Sequence, residues 1–157
     1  MAFEQGDLTM SVSFDRQDDT DFHGSKLALS VGSRLVTILR DDKPDIPWPA
    51  HWDLPGGGRE AGETGVQFAL RETHEEIGLI VPDTALTWGR LYPRKGLNFW
   101  FFAAKVPESA ATDIRLGTEG QRYELISPTE YLTRDKAIPQ FQERLSHCLA
   151  DLPNLSI

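Results

Sequence analysis

The stretch "LPGGGREAGETGVQFALRETHEEIGLIV", Leu54 to Val81, places three adjacent glycines ahead of an amphipathic segment that carries Arg71-Glu72 and then Glu75-Glu76. From Thr64 onward Val66, Ala69, Leu70, Thr73 and Ile77 fall on one stripe at 3.6 residues per turn, which predicts a helix. Thr64 is its candidate N-cap and Gly78 its candidate stop. At about 100° per residue, Glu72, Glu75 and Glu76 cover roughly a third of the circumference, away from that stripe. Like charges one turn apart cost a helix a few tenths of a kcal/mol. Such crowding is tolerated more readily when a cation sits among the carboxylates, and hard divalent cations take their ligands from carboxylate oxygens, phosphates and water. Arg71 stands at (i, i+4) to Glu75 and can orient or neutralise it. A solvated charged face is the other reading of the same run.

Working outward, "KLALSVGSRLVTILR" (26–40) reads as two strands about a tight turn at Gly32-Ser33, with Leu27, Leu29 and Val31 alternating. "DDKPDIPWPAHWD" (41–53) is a proline-stiffened loop carrying Trp48 and Trp52. "LTWGRLYP" (86–93) and "LNFWFFAAKV" (97–106) read as strands, the second apolar on both faces and hence central in a sheet. A loop and a short strand occupy 111–127, and Pro128 opens a short helix. "IPQFQERLSHCLADL" (138–152) is an amphipathic helix with Phe141, Leu145, Cys148, Leu149 and Leu152 on its apolar stripe. Mixed strands with helices on either side imply an α/β (α+β) sandwich. Residues 1–23 read as an N-terminal arm and 24–157 as a single domain.

The chain has 157 residues and a formal net charge of −8. An acidic surface disfavours nucleic-acid backbones and anionic membranes, so an anionic ligand needs local help, for which divalent cations serve. Cys148 is the single cysteine, which excludes an intrachain disulfide and any cysteine-type metal spacing. The first residues lack a signal-peptide pattern, and no apolar run approaches a membrane span. The expectation is a cytoplasmic protein with no membrane partner. A P-loop pattern is absent, and His74 has no second histidine at zinc-protease spacing.

The stretch resembles the Nudix box of the Nudix hydrolase superfamily: Gly57, Glu63, Arg71, Glu72, Glu75, Glu76, Gly78 and Leu79 all fall in its register. Thr73 stands where the family has a bulky aliphatic, a departure that bears on packing more than on chemistry. "WDLPGGG" resembles the family's entry into the box, and "GTEGQ" (117–121) its downstream loop with a further glutamate, here Glu119. The resemblance implies an α/β/α sandwich with a mixed sheet and a loop-helix-loop motif that binds Mg²⁺ or Mn²⁺. It implies that Glu72, Glu75 and Glu76 ligate metal, that the carbonyl of Gly57 or a neighbour adds an oxygen, and that Glu63 and Arg71 brace the box. Its implied reaction is hydrolysis of a diphosphate bond in a nucleoside diphosphate derivative or a nucleoside triphosphate, by attack of water on phosphorus.

Metal ions suit this chemistry because they neutralise the phosphate oxygens and lower the pKa of a bound water. Glu119 is the candidate base and further metal-site residue, with Glu76 or Glu75 as the alternative. Trp48 and Trp52 are candidates to stack on a base or to pack their loop onto the core. Arg90 and Arg94 are candidates for phosphate contact or for solvated strand ends. A small nucleotide is the expected partner, and a homodimer is an arrangement common among such relatives. Two rival readings are a nucleotide-sensing module, which would have lost box carboxylates, and an isoprenoid diphosphate isomerase, which would need a cysteine beside the site.

Overall fold

The computed structural model describes residues 21–60 and 62–152, so the expected arm falls outside it as far as residue 20. Phe22, which the sequence reading assigned to that arm, is buried against Phe68 with the Arg59 guanidinium 4.4 Å above its ring. The packed domain therefore begins ahead of the first strand.

Alternating apolar residues close β1 (Gly24–Val31) and β2 (Arg34–Leu39) into the expected hairpin, paired at Ser30–Leu35 and Val31–Arg34. Gly32 turns it with a positive φ of 64°, a conformation that suits glycine. Beyond those two pairs β1 and β2 diverge. The gap is filled by the segment that enters the quoted stretch: β3 (Trp52–Asp53) pairs with the far end of β2, and β4 (Gly56–Gly58) with the start of β1. β5 (Leu86–Arg94) and β6 (Leu97–Val106) form a second hairpin. β6 lies parallel to β1 along its whole length, from Gly24–Phe99 to Val31–Val106, and so occupies the interior of the sheet as its two-sided apolarity requires. β7 (Arg122–Ile126) covers the remaining edge of β2. The outcome is a mixed seven-stranded sheet.

Helix α1 (Gly65–Ile77) packs on one face. Thr64 caps it through a reciprocal capping box with Gln67, and Gly78 ends it in the left-handed conformation. Val66, Ala69 and Ile77 meet Leu27, Leu29, Val36, Ile38, Phe102 and Ala104 of the sheet. On the other face α2 (Pro128–Thr133) and α3 (Pro139–Asp151) bring Tyr131, Phe141, Leu145 and Cys148 against Trp88, Phe101 and Ala103. The α/β/α sandwich is thus realised. No helix among the described residues is long and apolar enough to cross a membrane.

Thr73, the departure from the aliphatic pattern, is fully buried, and its hydroxyl donates to the Ala69 carbonyl at 2.7 Å. Its polar atom is satisfied within the helix, so the position packs without an orphaned donor.

Candidate active site

The wedge between β1 and β2 decides where the chemistry can occur, because it threads Gly56–Gly58 through the sheet directly under α1. At Gly56 a Cβ would lie 2.1 Å from the Ser25 carbonyl oxygen, and φ is 132°, so only glycine fits this crossing. The Gly56 N–H donates to Glu76 Oε1 at 2.9 Å. At Gly57 a Cβ would sit 3.2 Å from Glu72 Oε1. Two box carboxylates therefore reach the same short piece of backbone.

Lys26 anchors that backbone from below. Its ammonium donates to Asp53 at 3.1 Å, to the Leu54 carbonyl at 3.1 Å and to the Gly56 carbonyl at 3.2 Å. Asp53, only 6% exposed, also accepts from Arg40 Nη1 at 3.0 Å and from the Leu54 N–H at 2.7 Å. A buried carboxylate needs such partners. None of Lys26, Arg40 and Asp53 was singled out by the sequence reading, since their meeting depends on strand pairings across long separations.

Burial raises the Glu76 carboxyl to a pKa of about 7; Lys26 and the Gly56 N–H oppose the shift, while Asp53 and Glu72 reinforce it. Burial likewise raises Glu72, opposed chiefly by Arg71. Arg71 binds Glu63 through Nε–Oε2 at 2.6 Å and Nη2–Oε1 at 3.0 Å, while its Nη1 reaches Glu72 at 3.0 Å and Glu75 at 2.9 Å. Its guanidinium lies 5.3 Å from the Phe68 ring centroid. Phe68 is fully buried although it lies off the stripe assigned from sequence.

The expectation of three carboxylates converging on one point changes in detail. Glu72 and Glu76 face the glycine strand, whereas Glu75, with its side chain 56% exposed, turns to Arg71. No group of three or more His, Cys, Asp or Glu side chains gathers as an ion cage among the described residues. The donor set still fits a hard divalent cation: two part-buried carboxylates next to glycine backbone, one of them poorly compensated by its surroundings.

Glu76 opens onto a cavity of about 290 Å³ that Arg40, Asp41, Asp53, Thr118 and Glu119 also line. The structure thus brings Glu119, on a loop, into the same space as Glu76, on α1, across a long separation in sequence. The Glu119 loop is docked on the end of α1: the Gly117 N–H donates to the Glu76 carbonyl at 2.8 Å, and a Cβ at Gly117 would meet the Glu75 carbonyl at 2.5 Å. Gly120 N–H reaches Asp41 at 3.3 Å and Gln121 N–H reaches the Leu39 carbonyl at 2.8 Å. Glu119 has no hydrogen bond or ion pair of its own among the described residues.

The weaker candidates separate. Trp52 is buried between the Arg134 and Arg122 guanidinium groups, at 4.7 and 5.3 Å, and lies in the core beneath α2. Trp48 packs edge-on against His51 at 5.1 Å. Neither lines the cavity at Glu76. Arg90 lies over Tyr92 on an exposed strand, while Arg94 lines a second cleft that begins at Gly57 and Gly58.

A chain with this sandwich and this glycine-helix-glutamate site carries a hydrolase-type box. The family model for the NUDIX domain matches residues 29–148, and the chain belongs to the Nudix family. It is 29% identical over 108 residues to an uncharacterized Nudix hydrolase of Listeria innocua, covering 67% of this chain and 58% of that protein. The chain spans between 9% and 58% of the length of the curated relatives it matches. Among solved structures it resembles a Caenorhabditis elegans Ap4A hydrolase at a TM-score of 0.64 and 20% identity, covering 83% of this chain and 98% of that one. It also resembles a bifunctional NMN adenylyltransferase/ADP ribose pyrophosphatase of Francisella tularensis, complexed with AMP and a manganese ion. The TM-score there is 0.61 at 15% identity, covering 83% of this chain and 41% of that one. These likenesses are of fold.

Proposed function

We propose that this chain hydrolyses a diphosphate bond in a nucleoside diphosphate derivative or a nucleoside triphosphate, by attack of water on phosphorus with Mg²⁺ or Mn²⁺ bound. The observation that carries the reading is Glu76: a carboxylate held half-buried against the Gly56 N–H, raised in pKa by its burial, and opening onto a cavity that Glu119 also lines. Glu72 and Glu76, with a carbonyl of Gly56 or Gly57, are the residues that would hold the cation. When bound, it would neutralise the diphosphate oxygens and make a coordinated water acidic enough to attack.

The protein's own groups supply the remainder. Arg71, bound to Glu63, fixes the Glu72 carboxylate and withdraws Glu75 from the cavity. Lys26 and Arg40 hold Asp53, and through it the turn into the glycine strand, so the backbone under Glu76 is preorganised. Glu119 is the base: it lines the cavity and makes no ion pair among the described residues, whereas Glu72 and Glu75 are already engaged by Arg71. Because the box carboxylates are all present, a nucleotide-sensing module without turnover is the less favoured reading. The isomerase alternative needs a cysteine at the site, and Cys148 is fully buried on α3 beneath the opposite face of the sheet.

The deciding experiment incubates the chain with Mg²⁺ and a panel of nucleoside diphosphate derivatives and triphosphates, identifying products by mass. Cleavage at a phosphoanhydride, abolished in Glu76→Gln with the fold retained, is the expected result. Full activity in Glu76→Gln would reject the assignment.

A further inference from the structure

Arg144 is buried on α3, at 7% exposure, yet among the described residues its guanidinium has no hydrogen bond and no carboxylate at ion-pair distance. It is held between two rings, 4.8 Å from the Tyr92 centroid and 5.8 Å from that of Phe141. Tyr92 and, more weakly, Glu143 act on it favourably, Arg94 repels it, and burial lowers its pKa from the ordinary value. A desolvated guanidinium carries five N–H donors, and leaving them without acceptors is unfavourable unless a ligand completes the site. Stacking on two rings compensates the charge but supplies no hydrogen-bond acceptor.

The space Arg144 lines is a cleft of about 270 Å³ shared with Lys26, Gly57, Arg94, Phe99 and Trp100. One end is therefore the glycine strand of the hydrolytic site. The other gathers two guanidinium groups in a chain of net charge −8, which is a local reversal of the protein's own field. The planar fork of arginine matches phosphoryl oxygens two at a time, and aromatic walls suit a base or sugar. The cleft is slightly smaller than the roughly 300–1,000 Å³ of sites for drug-sized ligands, a size for one nucleotide unit and not for a polymer.

We propose that this cleft seats a nucleoside 5′-monophosphate unit of the substrate and that Arg144 grips its phosphoryl group, making Arg144 the residue that separates nucleotides from nucleosides. The proposal rests on the diphosphate-hydrolase reading for what lies beyond the unit's phosphate, but the binding itself does not depend on turnover.

The test is titration calorimetry on the full chain in EDTA, with AMP, adenosine and inorganic phosphate as separate probes. Wild type is expected to bind AMP at least tenfold more tightly than either of the others. Arg144→Met should erase that preference and leave adenosine unchanged, Arg144→Lys should keep part of it, and Glu76→Gln should keep it whole. Equal affinity for AMP and phosphate, or an unchanged AMP preference in folded Arg144→Met, overturns the proposal. Should Arg144→Met fail to fold, the side-chain Nε–Hε resonance of Arg144 in wild type decides. A shift with AMP and none with adenosine supports the grip, and no shift with AMP overturns it. An intact AMP preference in a chain that cleaves no phosphoanhydride would reject the hydrolase reading and leave this one standing.

Discussion

Arg71 meets Glu63 in a two-pronged pair, Nε to Oε2 at 2.6 Å and Nη2 to Oε1 at 3.0 Å, and the same guanidinium extends to Glu72 and Glu75. One cation thus ties the loop before α1 to the carboxylates on it. Glu63 is a brace for that cation and does not itself line the cavity. Glu63→Gln should therefore lower stability by about 1–2 kcal/mol, within the range for hydrogen bonds to charged groups after allowance for partial exposure. Its kcat should fall far less than in Glu76→Gln, because Glu72 is loosened and not removed. Denaturant melts alongside steady-state rates on the same preparations check both parts.

The Glu119 loop makes a separate prediction. Gly117 lies so close to the Glu75 carbonyl that a methyl group must push the loop away from α1. Gly117→Ala should then move Glu119 out of reach and lower kcat at least tenfold, since small misplacements of reacting groups are costly. Glu119→Gln should lower kcat by about 10²–10⁴, the usual worth of a general base, while the rise in Tm on adding Mg²⁺ persists. A loss of that Mg²⁺-dependent rise would reassign Glu119 to metal binding.

Thr73 has a prediction of the opposite sign. Its hydroxyl bonds back to the Ala69 carbonyl, a type of contact that gives a helix little and can bend it. Thr73→Val replaces the hydroxyl by a methyl in a fully apolar setting and should be neutral or stabilise by up to about 1 kcal/mol. Activity should stay at the wild-type level, because the position faces the sheet and not the cavity. A thermal melt and a rate measurement suffice.

These variants also mark what sequence could disclose. The α1 stripe, its Thr64 cap and its Gly78 stop were legible because they are local, and each is set by neighbours within a turn. The first hairpin and the interior position of β6 were legible from alternation and two-sided apolarity. What was not legible depends on partners distant in the chain. Trp52 read as a loop aromatic because nothing near it announces Arg122, Arg134 and Tyr131, which enclose it. Phe68 lies off the periodic stripe, and one ring it packs against, Phe22, comes from before β1. Lys26 and Asp53 meet only because β1 and β2 splay and admit β3 and β4 between them. Arg144 carries no pattern at all; its place is fixed by Tyr92 on β5 and Phe141 on α3.

Trp52 gives a structural prediction. It is 7% exposed, its carbonyl accepts from the Tyr131 hydroxyl at 2.8 Å, and its ring fills the core beneath α2. Trp52→Ala should cost about 3–5 kcal/mol as a large-to-small core change, whereas a ring reserved for base stacking would alter KM and leave the melt unchanged. Comparing the two readouts in one variant separates the roles.

Cys148 supplies the pH prediction. It is fully buried against Trp88, Phe101 and Leu145, and burial pushes its thiol up to about 12, with Asp151 adding to the rise. The folded chain therefore holds the proton more strongly than the unfolded chain, whose thiol titrates near 9. By linkage this group has no effect on stability well below pH 9. Stability then falls as pH climbs from about 9 towards 12, where only the unfolded thiol ionises freely. Since the thiolate is the reactive form, native protein at pH 8 should resist a maleimide or disulfide reagent for as long as it stays folded, and label at once in denaturant. Cys148→Ala should flatten the alkaline limb of the stability curve, at some cost in packing at neutral pH. Rapid labelling of the native chain at pH 8 would mean that α3 opens from the sheet under native conditions.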